Sequence, residues 1–561
     1  MFCPNCGFPY GPDDRFCGRC GAALPTGAEA AAPPPEPPPE EPASPPPRPK
    51  RRRLRYLLPA VLVLAAAAGA LAFFLTRPAP LDRSYGLHST PSLFFLTEEN
   101  RSQIALWRGT EQLLTFPAED GFFRSSASAA GGSPILVTGT DGILHRADSQ
   151  SCTTLAEQVL SCFLSGDGST AAWVTEDQAL WLQRGEEAPV LVDESVSPYS
   201  VLVSFTGRAL VWQTDYSIEG APRCYLSLDG GAPRDLELDG IAPALVTDSG
   251  TLYYTTMQGS SLNLYTWRDG VSTLLTDRLS SPGCTLFFNR DGTELLYKTA
   301  EDDITSTWFC REGEEPKKLG DFFLRLLCFP SCAYQQFSST AHLSVYQYDV
   351  ATLREKALRT DQNIWLLDRD GNASPLFPEG SVVSLSYVSQ DGNSLVTQVG
   401  GSGDQYTLYR FDDLWGSPES QVLAQGRGLR LSAPSADLSV LCYSTYGENE
   451  SSHMYYVIRE GSEPECFTEG NESVLMFPDG RFLYSTDDGT RFFLSDGSGD
   501  PIPVDMPQTD EDTNTLTFWS IGQQQFAVLY DFNTSLQDVY ALSPDGSVTL
   551  LSENVGNMFN Y

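Results

Sequence analysis

The sequence predicts a mainly β protein, a β-propeller arranged as two successive propellers of four-stranded blades, preceded by a cysteine knuckle and one transmembrane helix. Three observations lead to this prediction. From about residue 88 onward, short apolar and aromatic runs alternate with Gly, Asp and Ser turns at a period of about 40–45 residues. An uncharged apolar stretch precedes this region. Four cysteines stand at regular spacing close to the N-terminus.

The first 24 residues contain two C-x-x-C pairs, C-P-N-C-G at Cys3–Gly7 and C-G-R-C-G at Cys17–Gly21. Four thiolates at this spacing suit a closed tetrahedral Zn²⁺ site. So short a segment buries too little apolar surface to fold alone, so zinc would supply most of its folding free energy. A redox role is the alternative, but a redox C-x-x-C normally occurs once, in a βαβ setting. The predicted ligands are Cys3, Cys6, Cys17 and Cys20.

This segment resembles the N-terminal zinc-ribbon domain of many bacterial membrane proteins, in which such a knuckle precedes a membrane span. The resemblance covers residues 1–24 and includes all four cysteine positions. It implies a structural zinc ion. Because a four-sulfur site has no open coordination position, catalysis at this metal is not expected.

Residues 25–56 are predicted to form a linker that ends in a basic juxtamembrane cluster. The Pro-, Ala- and Glu-rich part cannot pack a core and favours extended polyproline II, which makes it a semi-rigid spacer. The basic cluster would contact anionic head groups and needs no nucleic-acid explanation. Its members are Arg48, Lys50, Arg51, Arg52, Arg53 and Arg55.

Residues 57–76 are predicted to form the transmembrane helix. The uncharged run Leu57–Leu75 would extend roughly 28 Å as a helix, enough to cross the hydrocarbon core. A cleaved signal peptide is the alternative, but the run is longer than a typical signal h-region and lies far from residue 1. The basic cluster before the run, against Arg77 alone just after it, predicts a cytoplasmic N-terminus and an extracytoplasmic C-terminal region. The predicted location is the cell membrane, with a single pass.

The region after residue 81 is strongly acidic. The chain has 36 Lys and Arg against 72 Asp and Glu; residues 1–81 hold nine and six of these, which leaves 27 basic and 66 acidic residues. Such a charge repels phosphate backbones, so nucleic acid is not expected as a partner. It attracts cations, basic peptides or amino sugars, although an acidic surface also serves solubility alone.

This acidic region repeats a two-part unit. The first part is a turn, often D-G, that leads into an apolar and aromatic strand; the second is a hairpin around a Gly-bearing turn. Turns of the first kind begin at Ser165, Thr247, Asn289, Ser389, Phe477 and Ser543, with a weaker copy expected near Ser339. Hairpins of the second kind are Leu264–Leu275, Ile364–Phe377 and Tyr455–Phe467.

The period of the repeat favours propeller blades over a pair of β-sandwiches, which share short strands but not the period. About ten or eleven units exceed the usual blade number of one ring. We therefore expect two propeller regions, 82–330 and 331–561. The units resemble TolB-like and dipeptidyl-peptidase-type propeller repeats, whose strands begin with S-x-D-G. This resemblance implies the fold and no activity.

Nine of the 13 cysteines lie scattered in the acidic region, so at least one is free or bonded to another chain. Cys328 and Cys332 are the only close pair. Without regular spacing, buried free thiols and disulfides are both open interpretations.

No catalytic motif accompanies the repeats, so an enzyme is not expected. The four histidines, His88, His145, His342 and His453, do not form a paired-ligand motif.

The sequence therefore predicts a membrane-anchored extracytoplasmic binding, sensing or scaffold protein with a cytoplasmic zinc knuckle. Its predicted partners are the membrane and a protein or cationic ligand. The alternative is a propeller-based hydrolase or lyase with carboxylates lining its channel, which inward-facing Asp, Glu and His would favour.

Overall fold

The structure, a computed structural model, describes residues 93–559 with short gaps. The gaps are 130–132, 215–221, 259–260, 280–283, 290–291, 302–303, 322–324, 327–333, 341–342, 349–355, 360–362, 368–370, 379–380, 390–392, 402, 415, 417, 448–451, 471–473, 487–488, 498, 510–513 and 522–523. We call the described residues the body. The predicted knuckle, linker and transmembrane helix lie outside them. Within the body, no helix is long and apolar enough to span a membrane.

The body is built of strands that form eleven sheets, numbered here in chain order. Sheet 1 contains β1 (Leu93–Thr97), β2 (Gln103–Arg108), β3 (Glu111–Pro117) and the last strand, β46 (Asn557–Phe559). Sheet 2 contains β4 (Ser125–Ser128), β5 (Ile135–Thr138), β6 (Leu144–Ala147) and β7 (Cys152–Ala156), and sheet 3 contains β8 (Val159–Leu164), β9 (Thr170–Thr175), β10 (Leu180–Arg184) and β11 (Val190–Asp193). Sheet 4 contains β12 (Val196–Val203), β13 (Ala209–Thr214), β14 (Cys224–Leu228) and β15 (Arg234–Asp235). Sheet 5 contains β16 (Ala242–Val246), β17 (Leu252–Gln258), β18 (Ser261–Arg268) and β19 (Val271–Thr276).

The chain continues through sheet 6, which contains an inserted hairpin, and sheet 7. Sheet 6 contains β20 (Cys284–Asn289), β21 (Glu294–Glu301), β22 (Ile304–Arg311) and β23 (Lys317–Gly320), together with β25 (Tyr334–Thr340) and β26 (Leu343–Tyr348). Sheet 7 contains β24 (Arg325–Leu326), β27 (Lys356–Arg359), β28 (Ile364–Leu367) and β29 (Ala373–Pro375).

The last four sheets are regular, with four antiparallel strands each. Sheet 8 contains β30 (Val382–Val388), β31 (Leu395–Gly400), β32 (Gln405–Asp412) and β33 (Glu419–Arg427), and sheet 9 contains β34 (Arg430–Pro434), β35 (Val440–Tyr446), β36 (His453–Arg459) and β37 (Glu465–Gly470). Sheet 10 contains β38 (Val474–Met476), β39 (Phe482–Thr486), β40 (Arg491–Ser495) and β41 (Ile502–Val504). Sheet 11 contains β42 (Asn514–Ile521), β43 (Gln524–Asp531), β44 (Gln537–Leu542) and β45 (Val548–Val555).

Sheets 2 to 5 contact one another through their first strands. First strands of neighbouring sheets lie side by side, as β4 beside β8, β8 beside β12 and β12 beside β16. Fourth strands are the most exposed, and Val190 and Val271 on two of them are more than half accessible. This is the radial order of propeller blades, in which stacking buries the sheet faces and leaves only short outer edges. The predicted mainly β, propeller-like fold is confirmed.

The hydrophobic core is divided into clusters that lie between sheets. Of the eleven clusters in the body, ten join two sheets that are consecutive along the chain, and the eleventh joins sheet 11 to sheet 1. In that closing cluster, Phe94 meets Phe526 edge to face, with ring centroids 4.8 Å apart. The short strand β46 adds to the edge of β1 and completes sheet 1 with residues from the other end of the chain.

The contacts between sheets form one cycle, whereas two successive propellers would each need a cycle of their own. Leu296 and Phe309 of sheet 6 share a cluster with Leu367 of sheet 7, so packing continues across the predicted boundary at 330/331. Sheet 1 is closed by the last strand of the body and not by a strand near residue 330. The division into 82–330 and 331–561 stays a prediction.

The weaker repeat expected near Ser339 is not a blade turn. It belongs to the hairpin β25–β26, which is inserted between the first and second strands of sheet 7. Strand β26 pairs in parallel with β20, the innermost strand of sheet 6, and β25 lies beside β16. The hairpin therefore lies inward of the innermost strand of its sheet.

The S-x-D-G turns are closed by their own side chains. The Ser165 hydroxyl donates to the Asp167 carboxylate at 2.7 Å and accepts from the Thr170 backbone N–H at 2.9 Å. The same carboxylate accepts from the backbone N–H of Ser169 at 2.9 Å. Such short polar side chains bond to nearby backbone groups and so fix the turn. Most predicted turns connect first and second strands, but the one at Ser543 connects the third and fourth strands of sheet 11.

A glycine in these turns also permits close packing of adjacent sheets. Gly207 has a φ of 72°, and a Cβ there would overlap Thr170 of the preceding sheet. Both the left-handed conformation and the lack of space exclude a side chain at this position.

The buried aromatic and thiol side chains behave as core residues. The aromatics assigned to strand packing are all at most 5 % exposed: Trp173, Trp212, Tyr253, Tyr297 and Tyr484. Among the cysteines that the structure describes, Cys152, Cys162, Cys224, Cys310, Cys442 and Cys466 are free thiols. Burial raises the pKa of the Cys162 and Cys224 thiols to about 12, which keeps them protonated and unreactive at neutral pH.

Candidate functional site

The predicted zinc ligands lie outside the described residues, so only their chemistry can be tested. Four soft thiolate donors in two C-x-x-C pairs match the closed Cys₄ sites that hold structural zinc. Carboxylates, preferred by Mg²⁺ and Ca²⁺, are not part of this set. The donor set fits Zn²⁺. Within the body, no group of three or more His, Cys, Asp or Glu side chains is placed to hold a metal.

The centre of the body is poor in groups that could perform acid–base chemistry. In the eleven innermost strands that the structure describes (β46, β4, β8, β12, β16, β20, β24, β30, β34, β38 and β42), no position is Asp, Glu or His. Their sequences are dominated by apolar and hydroxyl residues, such as S-S-A-S in β4 and V-L-S-C-F-L in β8. The inserted hairpin adds no Asp or Glu in its two strands.

The two histidines of the body do not form a site together. His145 lies on β6 of sheet 2 and His453 on β36 of sheet 9. Burial lowers the pKa of His145, and the charge of Asp141 opposes this only in part, so the imidazole is neutral at pH 7. Its Nδ1 lies 3.3 Å from the Thr154 hydroxyl on the neighbouring strand. His88 and His342 lie outside the described residues.

A cavity of about 430 Å³ lies where sheet 11 meets sheet 1; we call it the closing cavity. It is at the end of the sheets where second and third strands are joined. Its acidic side chains are Glu98 and Glu99, from the turn after β1, and Glu553, from the end of β45. The remaining lining residues are Leu96, Thr97, Asn100, Ala105, Trp107, Gln112, Ser552, Asn554 and Val555.

A backbone hydrogen bond joins the two sides of the closing cavity: the N–H of Gly556 donates to the Thr97 carbonyl at 2.9 Å. Within sheet 11, the N–H of Asn554 donates to the Asp538 carboxylate at 2.9 Å. A Cβ at Gly556 would lie 2.9 Å from the Thr97 hydroxyl oxygen and 3.1 Å from the Glu98 carbonyl oxygen. Glycine therefore allows the two chain segments to approach closely.

The indole of Trp107 is an unusual part of the closing cavity wall. Trp107 is 8 % exposed, and its Nε1–H has no acceptor among the described residues. The ring stacks on Phe94 with centroids 6.4 Å apart. A buried donor without a partner is costly, because it has lost its hydrogen bonds to water.

A second cavity, of about 210 Å³, lies between sheets 8 and 9; we call it the arginine cavity. It contains both signs of charge. Arg410 is 7 % exposed and donates to the Leu438 carbonyl at 2.7 Å and to the Asp412 carboxylate at 3.0 Å. Its other terminal nitrogen lies 3.5 Å from the Glu460 carboxylate. Each polar group of this guanidinium side chain is thus matched within the protein.

The closing cavity was not predicted from the sequence. Glu98 and Glu553 are separated by more than 450 positions, and no repeat or motif links them. The available indication was architectural: a propeller must bring its first and last units together, so polar residues in the first and last turns are candidates for a shared site.

Comparison with known proteins adds one family match. Residues 2–24 match the family model of the zinc-ribbon domain, and this match includes all four predicted ligand cysteines. No curated protein matches the chain.

The chain is also similar to solved structures, at low sequence identity. A eukaryotic initiation factor is 13 % identical with a TM-score of 0.34, over 68 % of this chain and 96 % of that one. The tricorn protease is 13 % identical with a TM-score of 0.26, over 84 % of this chain and 59 % of that one. TolB from Acinetobacter baumannii is 13 % identical with a TM-score of 0.20, over 55 % and 80 %. The fold assignment rests on the sheets themselves.

Proposed function

We propose that the chain is a membrane-anchored protein whose acidic body binds a cationic ligand or a basic protein surface, without catalysis. The observation that carries the proposal is the lack of Asp, Glu and His in the innermost strands of the body. A hydrolase or lyase that used channel-lining carboxylates would need such residues at its centre. Apolar and hydroxyl side chains there are suited to packing.

The anchor and the knuckle complete this proposal. The run Leu57–Leu75 would cross the membrane once, with the basic cluster and Cys3, Cys6, Cys17 and Cys20 on the cytoplasmic side. A structural zinc ion at these thiolates would fold the knuckle, and the body would lie outside the cell membrane. The zinc-ribbon match supports the metal.

We also infer that the body is one ring of eleven blades. The support is the cycle of clusters that passes through consecutive sheets and returns from sheet 11 to sheet 1. One ring of eleven blades would leave a wide centre. The inserted hairpin β25–β26 would extend into this centre from the innermost strand of sheet 6.

The binding function is tested with the full chain purified in detergent. We expect lysine or glucosamine oligomers to bind, and affinity to fall as salt is raised from about 50 to 200 mM, because screening weakens attraction to the acidic body. Neutral oligomers of serine are the control. Absence of binding by every cationic oligomer would contradict the proposal.

The same preparation is expected to contain one zinc ion per chain by elemental analysis. Cys17→Ser removes a predicted ligand and should remove the metal, whereas Cys466→Ser, at an exposed free thiol of the body, should not. Unchanged zinc content in Cys17→Ser would contradict the site.

A further inference from the structure

We propose that the inner edge of strand β20 is a docking site for an extended segment of a basic partner protein, and that the hairpin β25–β26 occupies this site in the absence of the partner. The inference deepens the proposed binding function and rests on it for the charge of the partner. The first observation is the strand count. Sheet 6 has six strands, whereas each of the other ten sheets that the structure describes has four. The hairpin is therefore additional to the blade.

The pairing of β26 shows how the edge of β20 accepts a strand. The two strands pair in parallel along the whole of β20, from Cys284 opposite Leu343 to Asn289 opposite Tyr348. Within the blade itself, the pairs β20–β21, β21–β22 and β22–β23 are all antiparallel. Addition of a strand to a sheet edge through main-chain hydrogen bonds is a common mode of peptide recognition. The hairpin thus supplies within the chain what a peptide would supply from outside.

Strand β20 is held in place by packing on both faces of its sheet. Leu286 and Phe288 are fully buried in the cluster shared with sheet 5, where Phe288 meets Tyr253 edge to face with ring centroids 4.8 Å apart. Phe287 packs against the cluster shared with sheet 7. Each of these contacts is with residues outside the hairpin. The edge would therefore keep its shape when β26 leaves it, and such preorganisation lowers the cost of binding.

Exchange of the hairpin for a peptide would leave every blade intact. In the other ten sheets, the innermost strand is the last strand of its sheet, and no described strand pairs with its inner edge. Sheet 6 without the hairpin would match them. Parallel ladders are also slightly less stable per residue than antiparallel ones. We therefore expect a closed state, with β26 on β20, to be in equilibrium with an open state that alone binds the peptide.

The composition of the hairpin and the charge of the body indicate the chemistry of the partner. Residues 334–348 read Y-Q-Q-F-S-S-T-A-H-L-S-V-Y-Q-Y and contain no Asp, Glu, Lys or Arg. The chain after residue 81 carries 66 acidic residues against 27 basic ones. An acidic segment would be repelled by this charge and a basic one attracted. A strand with Lys or Arg at its ends would therefore compete with the uncharged hairpin.

The test measures binding of two synthetic peptides to the full chain in detergent by fluorescence anisotropy. The first peptide has the sequence of β26 with lysines added at both ends. The second is identical but carries N-methyl groups on alternate backbone nitrogens, which removes donors for strand pairing and keeps the charge. We expect the N-methylated peptide to bind at least about tenfold more weakly, because it loses several main-chain hydrogen bonds.

Replacing residues 334–348 by a short Gly-Ser linker removes the competing strand. This variant should bind the lysine-flanked peptide at least about tenfold more tightly than the wild type, because the open state is then the only state. Equal affinities would overturn the inference. The following two measurements do not depend on the folding of this deletion variant.

Leu343→Cys tests the competition in the opposite direction, by holding the hairpin closed. Leu343 is the register partner of the native Cys284, and paired strands lie about 4.8 Å apart, which a disulfide spans. Oxidation should abolish binding of the lysine-flanked peptide, and reduction should restore it. The matched control is Leu343→Cys with Cys284→Ser, which cannot form this disulfide and should bind in both buffers. Binding that survives the disulfide would place the peptide elsewhere and overturn the inference.

Hydrogen exchange of the wild type follows the displaced strand directly. A saturating amount of the lysine-flanked peptide should speed up exchange of the amides in residues 343–348, because β26 has left its ladder. Exchange in β22, which belongs to the blade, should not change. Unchanged exchange in residues 343–348 would show that β26 stays in place, and would overturn the inference.

Two further results separate this inference from the proposed function. If the lysine-flanked peptide fails to bind, or binds no better than its N-methylated form, while lysine oligomers bind, the strand site is wrong and the proposed cation binding stands. If lysine oligomers fail as well, the proposed function fails with it.

Discussion

The closing cavity and the arginine cavity both lie between consecutive sheets, yet they differ in how their charges are balanced. In the arginine cavity, the buried Arg410 contacts two carboxylates and a carbonyl. In the closing cavity, three carboxylates line the wall, and Arg101 of the same turn lies next to it but is not a lining residue. The charges of the arginine cavity are balanced within the protein. The closing cavity contains an excess of carboxylates and the buried Nε1–H of Trp107, which has no acceptor among the described residues.

This difference separates a cavity whose charge is balanced within the protein from one whose carboxylates face solvent. A buried charge is tolerated when it is paired and hydrogen-bonded, and removing one partner leaves an uncompensated charge. The glutamates of the closing cavity are exposed instead, so water solvates their charge. The two cavities also open at opposite ends of the strands, since the arginine cavity includes Ser439 and Gly461 from first-to-second and third-to-fourth turns.

The largest expected effect is at Arg410. Arg410→Ala should lower the free energy of unfolding by about 2–3 kcal/mol, because the Leu438 carbonyl loses its buried donor and the buried side chain is lost. Urea unfolding of the full chain measures this. Arg208→Ala is the control, since Arg208 and Asp229 form an exposed pair and its loss should leave the midpoint unchanged. Equal midpoints for the two variants would mean that the arginine cavity is not structural.

A smaller effect is expected at the closing cavity from Gly556→Ala. The new Cβ would meet a backbone carbonyl and the Thr97 hydroxyl, and the free energy of unfolding should fall by about 1–2 kcal/mol. Gly499→Ala, where no heavy atom lies within 4 Å, should be neutral or slightly stabilising. The urea midpoints of the two variants are compared directly. A neutral Gly556→Ala would show that the two segments can separate without cost.

The smallest effect concerns the turn beside the arginine cavity, where Asp437 precedes the lining residues Leu438 and Ser439. Burial opposes ionisation of Asp437, but hydrogen bonds from the Ser439 N–H and hydroxyl and from Ser435 outweigh it and lower its pKa. A lowered folded-state pKa stabilises the fold above the unfolded-state value of about 3.9, and this stability is lost as the pH falls through the folded-state pKa.

Wild-type chain should therefore lose stability in urea as the pH falls from about 5 to 3, and Asp437→Asn should lose less, by under about 1 kcal/mol. Ser439→Ala removes one of the donors and should act in the same direction as Asp437→Asn. An identical pH dependence in wild type and Asp437→Asn would assign the acid sensitivity to other carboxylates.

Local chemistry explains the parts of the fold that the sequence predicted. The turn at Ser165 is closed by hydrogen bonds within five residues, so its composition is visible in the sequence. The hairpins such as Tyr455–Phe467 depend on equally local turns. The same chemistry also explains why the turn at Ser543, which the sequence groups with the others, connects a different pair of strands: a D-G turn suits either hairpin of a blade.

Long-range contacts decided what the sequence did not reveal about the candidate site. Trp107 looked like one of many strand aromatics, and nothing in its neighbourhood in the sequence shows that its N–H lacks an acceptor. Glu98 and Glu553 become neighbours only because β46 pairs with β1. Cys3, Cys6, Cys17 and Cys20 are the opposite case, since their spacing alone specifies the donor set.

By itself, the sequence determined the repeat, the turn chemistry and the four-thiolate set, because each depends on residues a few positions apart. Only the tertiary structure decided the order of contacts between sheets, the inward position of the β25–β26 hairpin and the charge balance of the two cavities. These features depend on which distant strands meet when the last strand joins the first sheet. Similar sheets could stack in several arrangements, and the pairing of β46 with β1 selects the one in which sheet 11 packs on sheet 1.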